Sequence, residues 1–320
     1  MKQKRMWILP LIAALAMAAA GLLYMSRSSR RETPVRMTRI AVVVENSTGG
    51  RWTRFQAGLE QAAEDYNVAL DYAVTGSFSG IPEEERVIRS EAADADGVIV
   101  QLVDTSDTVE LIKRLCAEKV LGLVDTDAEA EAGDNFASIT ADNTGIGSAL
   151  ARLIQDDQRT ALSRKRIGVV AGTQRMRSMQ ERQASFIDRI SAAGGTIVWT
   201  LDGTGFLIEQ LQEEPVDILV ALDNDALEKA VDAVGETDEG LVLYGVGCSD
   251  RTIYELDHER IQAMIVPDEF QMGYLALADV VARVNAPNIP MIHREIPYTV
   301  ITKNNLFDPD NTAFLFPVIN

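Results

Sequence analysis

Short apolar runs end in polar or small residues at regular intervals along this chain of 320 residues. Residues 40–44 meet Glu45-Asn46-Ser47-Thr48-Gly49-Gly50, and residues 98–100 lead through Leu102 and Val103 to Asp104. Residues 121–124 meet Asp125-Thr126-Asp127, and Ile139 leads to Asp142-Asn143. Residues 167–170 meet Gly172-Thr173-Gln174, and residues 218–222 meet Asp223-Asn224-Asp225. Residues 242–246 meet Gly247-Cys248-Ser249-Asp250. A helical pattern follows each turn except the one after residues 121–124, which leads to another strand. Such alternation predicts an α/β fold with parallel sheets covered on both faces. In doubly wound sheets a ligand binds beyond the carboxyl ends of the strands. The polar residues collect there, so the pattern by itself points to a small-molecule cleft.

The first half carries predicted strands at residues 39–44, 68–74, 97–100, 120–124 and 137–140. Its predicted helices are 52–66, 108–118, 144–155 and one opened by Pro82. That last helix has Glu83, Glu84 and Glu85 in its first turn, as the helix dipole favours. Residues 156–164 are polar and read as a crossing into a second half. There the predicted strands are 166–170, 196–201, 217–221, 241–246 and 261–266. The helices are 179–193, 206–212, 226–234 and 251–256, and a helix 269–283 and strand 297–302 follow.

The amino terminus departs from this plan. Residues 7–25 are apolar and uncharged for 19 positions, flanked by Lys2, Lys4 and Arg5 before and Arg27, Arg30 and Arg31 after. That length suffices to span a bilayer. Ala18-Ala19-Ala20 has the small-residue character of a cleavage site, but Gly21 to Met25 carries the apolar run past it. The reading is an uncleaved signal anchor over residues 1–31 and a linker over 32–38; cleavage to a secreted or periplasmic form is the alternative. No cysteine lies near residue 20, which excludes a lipoprotein anchor.

Charge narrows the partners. The formal net charge is −18, and beyond residue 31 there are 24 basic against 48 acidic residues. Such a body repels phosphate backbones, so nucleic acid is not an expected partner. Cys116 and Cys248 show no pairing pattern, and His258 and His293 stand apart from both. No metal site and no cofactor is expected. Gly145-Ile146-Gly147 and Gly245-Val246-Gly247 lack the third glycine of a dinucleotide fingerprint, since Leu150 and Asp250 occupy it. No phosphate-binding loop and no nucleophile elbow occur, so no enzymatic activity is expected.

Several segments in order resemble the type I periplasmic binding proteins, the sugar-binding group related to the ligand domain of lac-repressor-type regulators. Residues 95–104, Ala-Asp-Gly-Val-Ile-Val-Gln-Leu-Val-Asp, resemble the family's VDGIIV-PVD. Asp142-Asn143-Thr144-Gly145-Ile146-Gly147 resembles D-N-x-x-x-G, and Arg182-Gln183-Ala184-Ser185-Phe186 resembles R-x-x-G-F. Asn224-Asp225, Met272-Gly273-Tyr274 and Thr302-Lys303-Asn304-Asn305 resemble later family segments, and Arg51-Trp52 resembles the opening loop with its aromatic. The likeness spans residues 38–306. It implies two Rossmann-like lobes joined by a three-crossing hinge, preceded here by the membrane-spanning segment. The crossings are expected near residues 156–163, 266–268 and 296–299. Lobe one then holds 39–157 plus 268–297, and lobe two holds 158–266 plus 298–320.

The resemblance implies a binding protein that closes on a small polar ligand and presents it to a membrane importer of the ABC type or to a sensor kinase. The soluble domain would face outside the cytoplasm, held at the cell membrane by residues 7–25. Arg51, Trp52, Asp104 and Asp142 from one lobe, and Asn143, Arg182, Asn224 and Ser249, are the candidate ligand contacts. A sugar offers an apolar face for Trp52, hydroxyls for Asp142, Asn143 and Asn224, and adjacent oxygens for Arg182. Structural alternatives stay open: Asp142 and Asn224 as helix N-caps, Arg182 as a solvated helix arginine, Trp52 as core. The family's usual acid after a late strand is replaced by Gly247, and its glutamine near the last crossing by Pro267. Arg51 adds a cation at the first loop. Arg51 with Arg182 suits a carboxylate or phosphate on the ligand, whereas Ser249, Asp250 or Asp268 replacing the lost contacts suits a neutral sugar. A lac-repressor-type regulator would need a DNA-binding helix pair before residue 38, where the sequence has an apolar segment and a linker.

Overall fold

The computed structural model describes residues 36–45, 50–75, 80–102, 108–126, 135–172, 176–236 and 240–316, all but two of them within the unit Thr38–Asn320. Two six-stranded sheets carry the fold. The first contains β1 (Arg39–Glu45), β2 (Ala69–Thr75), β3 (Gly97–Val100), β4 (Val120–Val124), β5 (Phe136–Ala141) and β11 (Arg294–Ile296), in the order β11-β5-β4-β3-β1-β2. All its pairings are parallel. The second contains β6 (Arg166–Ala171), β7 (Thr196–Asp202), β8 (Ile218–Ala221), β9 (Val242–Val246), β10 (Ile261–Pro267) and β12 (Tyr298–Thr302). Its order is β12-β10-β9-β8-β6-β7, parallel except for the edge strand β12. Every residue of β3, β5 and β8 is buried, as strands covered on both faces must be.

Helices α1 (Gly50–Tyr66), α2 (Ile81–Glu91) and α3 (Thr108–Cys116) follow strands of the first sheet. Helix α4 (Asn143–Gln158) follows β5 but packs on α5 (Arg177–Ala192) and touches β9 and β10. The contact is intimate because small residues line it. A Cβ on Gly147 would collide with the Arg182 carbonyl. Ser185 Oγ donates to Thr144 O at 2.7 Å and lies 2.8 Å from Ser148 Oγ. The first crossing therefore lies at residues 141–143, which corrects the position expected at 156–163. Those residues are the end of α4 and a 3-10 helix (Arg159–Arg164) with Leu162 buried. Their polarity reflects a solvated helix end and not a linker.

Helices α6 (Leu207–Glu213), α7 (Asn224–Glu236) and α8 (Asp250–Asp257) complete the second lobe. At the end of β10 the chain leaves the second sheet. Asp268 caps α9 (Glu269–Asn285) by accepting from Gln271 N–H at 3.0 Å. Helix α9 packs on α1, β3, β4 and β5 of the first lobe. Strand β11 then adds to the first sheet and β12 to the second, with Pro297 between them. Asp268 N–H donates to Pro297 O at 3.0 Å, so the second and third crossings run bonded side by side. Helix α10 (Pro309–Leu315) closes the described chain. The apolar residues 7–25 lie outside the described residues. Among the described ones, no helix is long and apolar enough to cross a membrane.

Candidate functional site

The carboxyl ends of β3, β4 and β5 supply the first lobe's side of the site. Gln101 is buried at the end of β3. Asp125, buried at the end of β4, holds a left-handed φ of 52°, which aspartate tolerates better than most residues. Thr126 Oγ1 accepts from Leu102 N–H at 3.1 Å and donates to Val124 O at 3.2 Å, tying two strand ends together. Asp142 ends β5 as the N-cap of α4, its Oδ1 accepting from Gly145 N–H at 2.7 Å. That bond satisfies one of the helix's orphan donors.

On the second lobe, β6 and β8 end at Gly172 and at Asp223-Asn224. Asp223 accepts from Gly172 N–H and, through Oδ1, from Ala226 N–H at 2.9 Å. Asp223 is thus the cap of α7, and Asn224 is released from that role. Asn224 is 6% exposed; its Nδ2 donates to Glu228 Oε1 at 3.3 Å, and among the described residues its buried Oδ1 has no hydrogen-bond partner. Gly247, at φ 126°, presses on this side chain: a Cβ there would sit 2.7 Å from Asn224 Cα. Only glycine meets both demands. Ser249 caps α8 in a reciprocal box, accepting from Thr252 N–H at 3.3 Å while its own N–H donates to Thr252 Oγ1 at 2.8 Å.

Two buried arginines complete the site. Arg182, in the second turn of α5, is 6% exposed. Its Nη1 donates to Leu222 O at 2.5 Å and its Nη2 to Asn143 Oδ1 at 2.7 Å. Arg54, on α1 of the first lobe, reaches the second lobe, where its Nη2 donates to Cys248 O at 3.3 Å. Burial pushes the Cys248 thiol up from its ordinary range, with Arg54 pulling against the shift. Both cysteines are free thiols.

The sequence-derived candidates separate into groups. Asn143, Arg182 and Asn224 are buried at the strand ends of the second lobe and its crossing. Asp142 and Ser249 are half-buried helix caps, at the starts of α4 and α8. Trp52 is in the core, edge-on to Phe55 with ring centroids 5.2 Å apart. Asp104 and the Arg51 side chain lie outside the described residues. Sequence reasoning passed over Arg54, Asp125 and Gln101. The turn after β4 was visible as a polar break, but nothing local distinguishes Arg54 from a solvated helix arginine. Among the described residues no cluster of three or more His, Cys, Asp or Glu could hold a metal ion.

A family model described as a periplasmic binding protein domain matches residues 40–287. No curated protein sequence matches the chain. Among solved structures, the chain is similar to GanP, a glucose-galactose binding protein from Geobacillus stearothermophilus. The identity is 21% and the TM-score 0.74, over 85% of this chain and 99% of that one. It is also similar to a carbohydrate transporter solute binding protein from Agrobacterium radiobacter in complex with D-arabinose, at 17% identity and TM-score 0.78, over 88% and 100%. A chain of the XylFII-LytSN complex matches at 17% identity and TM-score 0.72, over 84% and 98%.

Proposed function

Because the chain belongs to the periplasmic binding protein domain family, we propose that it is an extracytoplasmic solute-binding protein whose two lobes close on a sugar or sugar derivative. One observation carries this reading. Arg182, Asn143 and Asn224 are buried polar groups gathered at the carboxyl ends of parallel strands, where two lobes meet. Their donors and acceptors suit ligand hydroxyls. The GanP and D-arabinose structures support a sugar as the ligand class. The protein acts by binding and domain closure, not by catalysis.

The closed form docks on a membrane importer or a sensor. The apolar run 7–25 supports a membrane-held form, and a diffusing receptor has no need of one. The XylFII-LytSN complex supports a protein partner for the folded domain. Calorimetric titration of the full chain with D-galactose, D-glucose, D-arabinose and D-tagatose tests the ligand class. Saturable binding that raises the melting temperature is expected for at least one sugar or its acid or phosphate derivative. The absence of binding to all of them would overturn it. Membrane fractionation tests the anchor: recovery in the pellet with residues 1–31 intact is expected.

A further inference from the structure

We propose that Arg54 receives an anionic group, a carboxylate or phosphate, carried by the ligand; this rests on the sugar-binding reading above. Arg54 is only 7% exposed. Its Nη2 donates to Cys248 O at 3.3 Å and its guanidinium also bonds the Cys248 thiol, while among the described residues its Nε is buried without a partner. Among the described residues no carboxylate pairs with it. A guanidinium withdrawn from water needs both its charge and its donors matched. A carbonyl and a thiol whose ionisation burial opposes supply no counter-charge and leave the Nε donor unmatched.

The surroundings say what would match it. The carboxylates of Asp142 and Asp223 are taken by backbone N–H groups of helix caps. Arg54 and Arg182 enter from different lobes and hold neighbouring strand ends. Cys248 O follows β9 and Leu222 O follows β8, whose residues Ala221 and Gly245 are paired. Gly247, next to Cys248, packs on Asn224, so the unmatched Oδ1 of Asn224 stands close by. That oxygen asks for a hydroxyl donor and Arg54 asks for an oxyanion. A polyol bearing an acid or phosphate satisfies both, whereas a neutral sugar leaves a buried cation uncompensated.

The test titrates the full chain with D-galactose and D-glucose beside D-galacturonate, D-glucuronate and D-glucose 6-phosphate. At least one anionic sugar is expected to bind about 10-fold or more tightly than its neutral parent, with affinity falling as salt rises. R54Q should lose roughly 10- to 100-fold for that anion, with little change for a neutral sugar, and R54K should retain most of the preference. The parent's salt dependence and R54K decide the matter should R54Q not fold. Neutral sugars that bind as well as the acids, or an R54Q that weakens both classes equally, would overturn the inference and make Arg54 a closure latch only. If sugars of neither class bind, the sugar-binding reading itself fails, and that outcome is distinguishable from the other two.

Discussion

Arg182 on α5 donates through Nη2 to the side-chain oxygen of Asn143, 2.7 Å away at the start of α4. The same guanidinium holds Leu222 O at the end of β8. One side chain thus ties the first crossing between lobes to the end of β8. Arg182→Ala leaves two buried acceptors without their donor. The expected loss is about 1–3 kcal/mol of stability, with roughly 10-fold or greater weakening of binding. Urea unfolding and calorimetry with a sugar that binds the parent measure the two effects. Asn143→Ala combined with Arg182→Ala should cost less than the sum of the single changes, because they share one bond.

Helices α1 and α9 cross at a reciprocal pair of glycines. A Cβ on Gly58 would collide with Phe270 O, and a Cβ on Gly273 with Phe55 O. Alanine is the better helix former by about 1 kcal/mol. Here the clash is with rigid backbone, so separation of the helices outweighs that gain. Gly58→Ala and Gly273→Ala should each destabilise by about 1–3 kcal/mol, read as a lowered melting temperature.

Glu85 on α2 accepts from Arg114 and Arg89, at 2.7 Å and 2.9 Å to their Nη2 atoms. The Arg114 hydrogen bond is the main reason its carboxyl titrates below the ordinary value of 4.5, with burial opposing and Arg89 assisting. A depressed folded value means the stabilisation is complete above the unfolded pKa. It is lost as pH falls through the folded one. Glu85→Gln should therefore lower the melting temperature at neutral pH and converge with the parent in acid, once pH has fallen through the lowered folded value. A difference that stays constant from neutral to acid pH would contradict this account.

Strands β3 and β4 are legible to the residue because continuous apolar runs are bounded by polar turns. Strand β11, Arg-Glu-Ile, is not, since only Ile296 is buried and its pairing with β5 is the remote contact that defines it. The lobe assignment of α4 was equally hidden. Its apolar face fits either sheet, and what decides is the small-residue seam of Gly147 and Ser148 against Ser185. Arg182 and Asn143, proposed above as ligand contacts, were singled out by a sequence resemblance. Arg54 was not, because the carbonyl that it bonds, Cys248 O, lies 194 positions away. Trp52 illustrates the opposite limit: an aromatic at a cleft entrance and one in the core carry the same sequence signal.

Asp223 and Asn224 are adjacent, polar and both able to cap a helix, so sequence could not divide the roles. The structure gives the cap to Asp223, which accepts from Ala226 N–H at 2.9 Å. Asn224 keeps a buried Oδ1 with no partner among the described residues. The two alanine variants should therefore separate cleanly. Asp223→Ala removes the cap and should lower stability by about 0.5–2 kcal/mol. Asn224→Ala removes an unmatched buried acceptor together with the long 3.3 Å bond to Glu228, and should leave the unliganded protein about as stable as the parent, because relief of the oxygen's desolvation cost offsets the lost bond. Under the proposed binding mode the same oxygen accepts from a ligand hydroxyl, so Asn224→Ala should weaken binding roughly 10-fold. Thermal unfolding without ligand and calorimetry with it distinguish the variants. An Asn224→Ala protein that loses stability but keeps full affinity would remove Asn224 from the site.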